Sequence, residues 1–385
     1  MRKIPYGRQN ISTDDIQAVI EVLRSDYLTQ GQAVPEFENA ICLKVGARYG
    51  VAANSATSAL HMACLALGLG VGDVVWTSPN SFVASANCAL YCGAKVDFVD
   101  INPATYNLDV DLLEQKLKNA KINSKIPKII IPVHFAGRSC DMKRIYELSL
   151  IYGFKIIEDA SHAIGGKYLD AYIGSCKYSD ITVFSFHPVK IITTGEGGVA
   201  LTNSSRVAES MRLFRSHGIT RESENFTCKH SNDGDWYYEQ NFLGYNYRMT
   251  DIQAALGISQ LKSLEKFIFE RENIVQWYNF NISSLDIVLP IISPDVSSAN
   301  HLYVIRVKQD RSRIFRELKN SGIGVNVHYI PIHLQPYYRK MGFRYGDYPN
   351  AENYYEEAIS LPIYPGLNLQ EMVYIKDRLL ESLGS

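Results

Sequence analysis

The residues of this chain best suited to chemistry fall in three short polar stretches, each beside an apolar run. In VFSFHPVKIITTGEGG, residues 183–198, Lys190 stands between a β-branched and aromatic run and a glycine-rich turn, with Ser185 five residues before it. Pro188 disrupts regular strand pairing, so the chain leaves the sheet just before the lysine, and GEGG permits a tight return into VALTN. Read alone, Lys190 is one more solvated surface cation. In KIIEDASHAIGG, residues 155–166, Asp159 ends an apolar run, where a carboxylate is costly unless a cation meets it. Its bland reading is a cap for the next turn. Glu158 alternates to the other side of the strand and reads as structural. His162, three residues beyond Asp159, can approach the same ligand or serve as a packed group. In NSATSAL, residues 54–60, small residues at a strand-to-helix junction let the backbone approach a ligand, and the free N–H groups and dipole of a helix start favour phosphate. Ordinary capping by Ser55 or Thr57 explains the same residues.

The combination is more specific than its parts. A phosphate cradle, a strand-end carboxylate and a lysine held between two strands are the three fixtures that hold pyridoxal phosphate: phosphate anchor, pyridine-nitrogen partner and Schiff-base amine. The sequence GLGVGD, residues 68–73, precedes a strand instead of joining a strand to a helix, so it is not a dinucleotide loop.

These stretches must be positioned by a regular frame, and the chain supplies one. Between about residues 50 and 205, β-rich runs (YGVAA, VVWTSP, KVDFVDI, PKIIIPVHFAG, KIIEDA, DITVFSF) alternate with helical stretches, which predicts an α/β fold with a largely parallel sheet and ligands at the carboxyl ends of its strands. A polar, aromatic segment follows, then one long amphipathic helical stretch, DIQAALGISQLKSLEKFIFERENIVQWY, and from about Asn281 a smaller α+β region with HLYVIRV as a strand and RSRIFRELKNSG as a helix. The 385 residues carry 39 Lys and Arg against 40 Asp and Glu, so no general attraction draws the chain to nucleic acid or an anionic membrane. No segment approaches the ~18 consecutive apolar residues of a membrane span, and no secretory leader is visible, so a cytoplasmic protein is expected. Seven cysteines lack the paired spacing of a zinc site; they are expected to be reduced and buried, with Cys88 and Cys92 able to share a helix face, and no metal is expected.

NSATSALH, EDASHAIGG, FSFHPVKIITTGEGGVALTN and LGYNYRMTDIQAALGISQL together resemble the pyridoxal-phosphate-dependent nucleotide-sugar aminotransferases. The resemblance runs from YGRQNI and YLTQG almost to the C-terminus. It implies an aspartate-aminotransferase-like fold: a large domain, residues 1–270, with an N-terminal arm and a mainly parallel seven-stranded sheet, and a small domain, residues 271–385. By resemblance Lys190 is the Schiff-base lysine, Asp159 the pyridine-nitrogen partner and His162 the neighbour of the ring oxygen. Ala56, Thr57 and Ser185 meet the phosphate, Phe82 stacks on the ring, and Asn246 reaches the phosphate of the neighbouring subunit, which implies a homodimer with shared sites. More narrowly, NVHYIPIHLQPYYR and ISLPIYP are similar to the branch that makes a 4-amino-4,6-dideoxy sugar nucleotide for pseudaminic acid. That branch implies L-glutamate as donor, 2-oxoglutarate as its product, pyridoxamine phosphate between the half-reactions and a UDP-linked 4-keto sugar as acceptor. The sugar nucleotide would lie against Tyr6, Ala56, Asp26, Tyr27, Leu28, Thr29, His328 and Tyr329. Gly195 replaces a common alanine, and the insert over residues 221–240 departs from the family's pattern. The family's dehydratase branch carries histidine in place of the lysine, and the presence of Lys190, with His187 at the wrong position, speaks against it. Two other readings stay open here: an aminotransferase for another nucleotide keto sugar, at C3 or on a UDP-4-keto-pentose or GDP sugar, and a regulatory protein that only binds the cofactor.

Overall fold

A computed structural model describes residues 3–228 and 234–384. Its centre is a seven-stranded sheet of β1 (Tyr49–Ala53), β2 (Val74–Thr77), β3 (Lys95–Phe98), β4 (Ile129–Ile131), β5 (Lys155–Asp159), β6 (Ile181–Ser185) and β7 (Gly198–Thr202). They lie in the order β1-β7-β6-β5-β4-β2-β3. Neighbours pair in parallel except at β7, which runs against both β1 and β6. The apolar runs are continuous because both faces of the sheet are covered. Ile157, Ile181 and Val183 point into one core layer with α3 (Ala56–Ala66), α4 (Ala84–Tyr91) and α7 (Ser205–Arg215), with helices numbered in chain order. On the other face Phe184 and Leu201 meet α2 (Ala33–Val45), while Ile130 and Ile156 meet α5 (Val110–Ile122) and α6 (Met142–Tyr152).

The carboxyl ends of β5 and β6, the start of β7 and the start of α3 therefore converge at one edge. Ser185 pairs with Gly198, so the loop between them leaves and re-enters the sheet at one level. Phe186 closes that loop at its base: its N–H donates to Gly197, and its carbonyl accepts from the Thr193 hydroxyl and the Thr194 N–H. Gly195 has φ +81°, a conformation that favours glycine over the alanine common at that position.

The long amphipathic stretch is two helices, α8 (Asp251–Lys262) and α9 (Leu264–Asn281), not one. They join at Ser263 (φ −93°, ψ 0°), whose N–H turns back to the Gln260 and Leu261 carbonyls and breaks the helical ladder. The second helix passes residue 270 unbroken, and its Ile274 and Tyr278 enter a C-terminal core with Tyr303, Ile305, Ile359 and Ile375. That core covers a three-stranded sheet of Ile287–Val288, Tyr303–Val307 and Ala358–Leu361. Ile4 joins it through backbone bonds to Gly322 and Gly324, so the N-terminal arm lies on this region. Within the 221–240 insert, residues 229–233 lie outside the described residues; Glu239–Gln240 pairs with Ile219–Thr220. Among the described residues no helix is long and apolar enough to cross a membrane. All seven cysteines are free; Cys228 is exposed and Cys92 half-buried, in contrast to the burial expected for them all.

Candidate active site

A cavity of about 940 Å³ opens at the converging edge, and Lys190, Asp159, His162, Ala56, Thr57, Ser185, Phe82, Tyr6, His328 and Tyr329 all line it. These residues come from stretches up to 323 positions apart (6 to 329), so the fold assembles the cavity. Asp26, Tyr27, Leu28 and Thr29 are not brought to it: they are exposed, and the Leu28 carbonyl accepts from the Asp251 N–H. Asn246 is likewise exposed and outside the lining of this chain's own cavity, although the neighbouring Tyr247 carbonyl accepts from the Asn54 N–H. Arg248, two residues after Asn246, lies in a separate, smaller hollow beside Glu38 and Arg215.

Lys190 sits in the Phe186–Thr194 loop, its N–H bonded to the His187 carbonyl. Among the described residues its amine makes no hydrogen bond or ion pair. Burial pushes that amine down to about 8, and the negative charge of Asp159 works in the opposite direction. Asp159 is buried, and both of its oxygens are held. Ser161 donates to Oδ1 from its N–H (3.1 Å) and its hydroxyl (2.6 Å), and Ser85 donates to Oδ2 (2.6 Å). This arrangement meets the cost of a buried carboxylate with three donors, two on Oδ1 and one on Oδ2, and leaves acceptor capacity on Oδ2.

The start of α3 is capped at Ser55, whose hydroxyl accepts from the Ser58 N–H at 3.1 Å. First-turn N–H groups have no partner inside a helix, and Ala56 and Thr57 present that turn to the cavity. Gly198 makes the close approach possible: a Cβ there would lie 2.6 Å from Ala56 N and Cα. An anion seat, a fixed carboxylate and an unpaired amine thus face one space, which is the donor set that fits pyridoxal phosphate.

Three buried histidines here, His162, His301 and His328, are neutral. His162 accepts the Ala136 N–H at Nδ1 (3.3 Å), so Nε2 carries the proton and donates to the Tyr329 hydroxyl (3.0 Å). Burial, with Lys190 and His328 nearby, pushes His162 well below its ordinary value. His328 falls to about 3 through burial and then Lys190; its Nδ1 donates to Ser360 at 2.8 Å while Nε2 accepts from Asn326 at 3.3 Å. His301, with a ring centroid 4.4 Å from that of His162, is buried and also pushed well down. Lys190 and Asp159 thus face the cavity together with the exposed Glu196 at its rim. Glu158 turns away from the cavity, as its place in the strand suggested, and bonds His134, Ser179 and Thr182.

Ser85, Ser161 and His301 were not singled out from the sequence. Ser161 carried a signal, since Asp-x-Ser is the spacing of an Asx turn. Ser85, 74 residues from Asp159, carried none.

A mainly parallel sheet with lysine, carboxylate and helix start at one edge defines an α/β enzyme of the pyridoxal-phosphate aminotransferase class. The chain belongs to the DegT/DnrJ/EryC1/StrS aminotransferase family, whose model matches residues 9–380. It is 38% identical over 387 residues to the UDP-4-amino-4,6-dideoxy-N-acetyl-beta-L-altrosamine transaminase of Campylobacter jejuni, covering 99% of this chain and 97% of that protein. Its structure matches Helicobacter pylori PseC, an aminotransferase of pseudaminic acid biosynthesis, with TM-score 0.90, 32% identity and 100% of both chains covered. A Streptococcus pneumoniae protein described as a sugar aminotransferase, solved in its PMP form, matches with TM-score 0.90 and 31% identity over 99% of both chains.

Proposed function

We propose that this chain transfers the amino group of L-glutamate to C4 of a UDP-linked 4-keto-6-deoxy-N-acetylhexosamine, giving UDP-4-amino-4,6-dideoxy-N-acetyl-β-L-altrosamine. The observation that carries this reading is the unpaired Lys190 amine facing the same cavity as Asp159 and the first turn of α3. The choice of sugar is supported by the similarity, over nearly the whole chain, to a relative named for that product.

Bound pyridoxal phosphate supplies an aldehyde that carries the migrating amine and a ring that withdraws electrons from it. Every other task falls to the chain. Lys190 Nζ is the point of attachment; once released, it takes the α-proton of glutamate and returns a proton on the other side of the transfer. An amine near 8 does both close to neutral pH. Asp159, its oxygens oriented by Ser85 and Ser161, holds the ring nitrogen protonated through a charge-assisted hydrogen bond. Ala56, Thr57 and Ser185 would hold the phosphate, Phe82 would cover the ring, and His162, oriented by Tyr329, would serve the ring oxygen. Glutamate would leave as 2-oxoglutarate, and Lys190 would exchange the same protons in reverse order as the amine passes to the sugar's C4 carbonyl.

The enzyme acts as a homodimer, with Asn246 of the partner subunit reaching the phosphate and the exposed Asp26–Thr29 segment serving the sugar nucleotide together with Tyr6, Ala56, His328 and Tyr329. The test is to give the purified holoprotein glutamate with a panel of UDP- and GDP-keto sugars. The UDP-4-keto-6-deoxy-N-acetylhexosamine should be aminated fastest; a UDP-4-keto-pentose or a GDP sugar turned over faster would contradict the assignment.

A further inference from the structure

Helix α9 carries a cation that the proposed chemistry does not use. Arg271 is fully buried, and among the described residues no carboxylate pairs with it. Burial lowers its guanidinium to about 10, which leaves it charged at neutral pH. A buried cation without an acid must find other acceptors, and here they are backbone carbonyls: Nη1 donates to Asn300 at 3.2 Å, to His301 at 3.3 Å and to Ile363 at 3.1 Å. The 299–302 segment held in this way grips residues 136 and 137 in turn. The His301 N–H donates to the Ala136 carbonyl at 2.9 Å, and the Ala299 N–H to the Gly137 carbonyl at 3.0 Å. The fit is close, since a Cβ on Gly137 would lie 2.9 Å from both Asn300 N and the His162 carbonyl oxygen. Ala136 is held at φ +58°, a left-handed conformation that alanine rarely adopts. From that conformation its N–H meets His162 Nδ1 at 3.3 Å, and the His301 ring packs on His162 with centroids 4.4 Å apart.

We propose that Arg271 is a positioning residue for the cofactor site: by clamping the Asn300 and His301 carbonyls it fixes Ala136, whose N–H in turn fixes the ring of His162. This rests on the reading of the cavity as a pyridoxal phosphate site with His162 beside the ring oxygen. The Asn300 carbonyl and the His301 N–H belong to one planar peptide unit, so holding one end aims the other. The Ala136 carbonyl and N–H are linked through its own φ and ψ, and an alanine released from the left-handed region would swing its N–H away from Nδ1. With Nδ1 occupied by a backbone donor, the proton of the neutral ring stays on Nε2, the nitrogen that meets the Tyr329 hydroxyl at 3.0 Å. Three hydrogen-bonded steps thus connect a charge in the C-terminal region to a side chain of the cavity. Arg271→Met would remove the clamp and leave the His162 ring free to turn.

A double-mutant cycle separates this role from general support of the C-terminal core. Cofactor-free full-length protein is titrated with pyridoxal phosphate as wild type, Arg271→Met, His162→Phe and the double variant, with circular dichroism as the check on folding. Residues that do not touch add to within about twofold. Here Arg271→Met should weaken binding by about tenfold in the wild-type background and by less than about twofold in the His162→Phe background. The absorbance maximum of the bound cofactor should also move in Arg271→Met in the same direction as in His162→Phe, which loss of core packing alone would not produce. Should the methionine variant fail to fold, Arg271→Gln, a neutral amide that keeps some donors for the carbonyls, gives the same cycle with a loss of about fivefold in place of tenfold. Equal losses in both backgrounds, or a cofactor spectrum that Arg271→Met leaves unmoved, would overturn the role of Arg271 while leaving the cofactor site standing. A His162→Phe protein that binds and absorbs like the wild type would overturn the placement of His162 at the ring oxygen, and this proposal with it.

Discussion

Burial makes Lys190 a nucleophile near neutral pH, and the rate at which cofactor-free protein captures pyridoxal phosphate reads this directly. Its amine falls from 10.5 to about 8, which at about 1.36 kcal/mol per pH unit favours the neutral form by about 3.4 kcal/mol. At pH 7.5 roughly a quarter of the Lys190 amines are then neutral, against about one in a thousand for an unperturbed lysine, a gain of about 200-fold. Capture should climb about tenfold per unit at low pH, bend near 8 and stay level above it. Asp159 favours the ammonium, so Asp159→Asn should move the bend below 8. The same linkage acts on stability. Between about 8 and 10.5 the unfolded chain holds a proton that the folded chain does not, so this group's contribution rises with pH across that window. Below about 8 the folded chain bears the cost of a half-buried ammonium. Lys190→Met should therefore stabilise the cofactor-free protein at pH 7 by up to about 3 kcal/mol in urea unfolding. Capture that keeps climbing to pH 10, with Lys190→Met leaving stability unchanged, would refute the reasoning.

Gly198→Ala drives a methyl group to within 2.6 Å of Ala56 N and Cα. Displacing the start of α3 should cost about 1–3 kcal/mol, which titration would show as roughly 5- to 150-fold weaker cofactor binding in a protein of normal circular dichroism. Ser85→Ala removes the 2.6 Å bond to Asp159 Oδ2; unfolding measurements should show a loss of about 1.5–3 kcal/mol. In a double-mutant cycle that loss should shrink in the Asp159→Asn background, and strict additivity would argue that the serine acts elsewhere.

The frame of the molecule was legible because its signals are local and repeated. Runs such as III and ITVFS place apolar residues on both faces, as in buried strands, and the cavity edge followed from where the strands end. Ser263 was missed because nothing in LKSLEKF forbids helix; the break is a backbone turn inside a well-formed amphipathic pattern. Asp159 and the start of α3 could be read because one ends a strand and the other begins a helix, and Lys190 because Pro188 and GEGG mark the loop that holds it. The support of Asp159 by Ser85 and of His162 by Tyr329 depends on strand order and on how the C-terminal region folds back, which no local spacing records. Asp26–Thr29 and Asn246 were expected at the site and are exposed on the single chain, so their contribution is tested only in the assembled protein.

The central claim is that Lys190 is the residue that carries the cofactor. Borohydride makes a lysine–aldehyde linkage permanent, so reduction of the holoprotein followed by peptide mapping locates the attachment. The account predicts a single pyridoxyl group on Lys190 and none in Lys190→Ala; attachment at any other lysine of the wild-type protein, or an unmodified Lys190 in an active preparation, would contradict it.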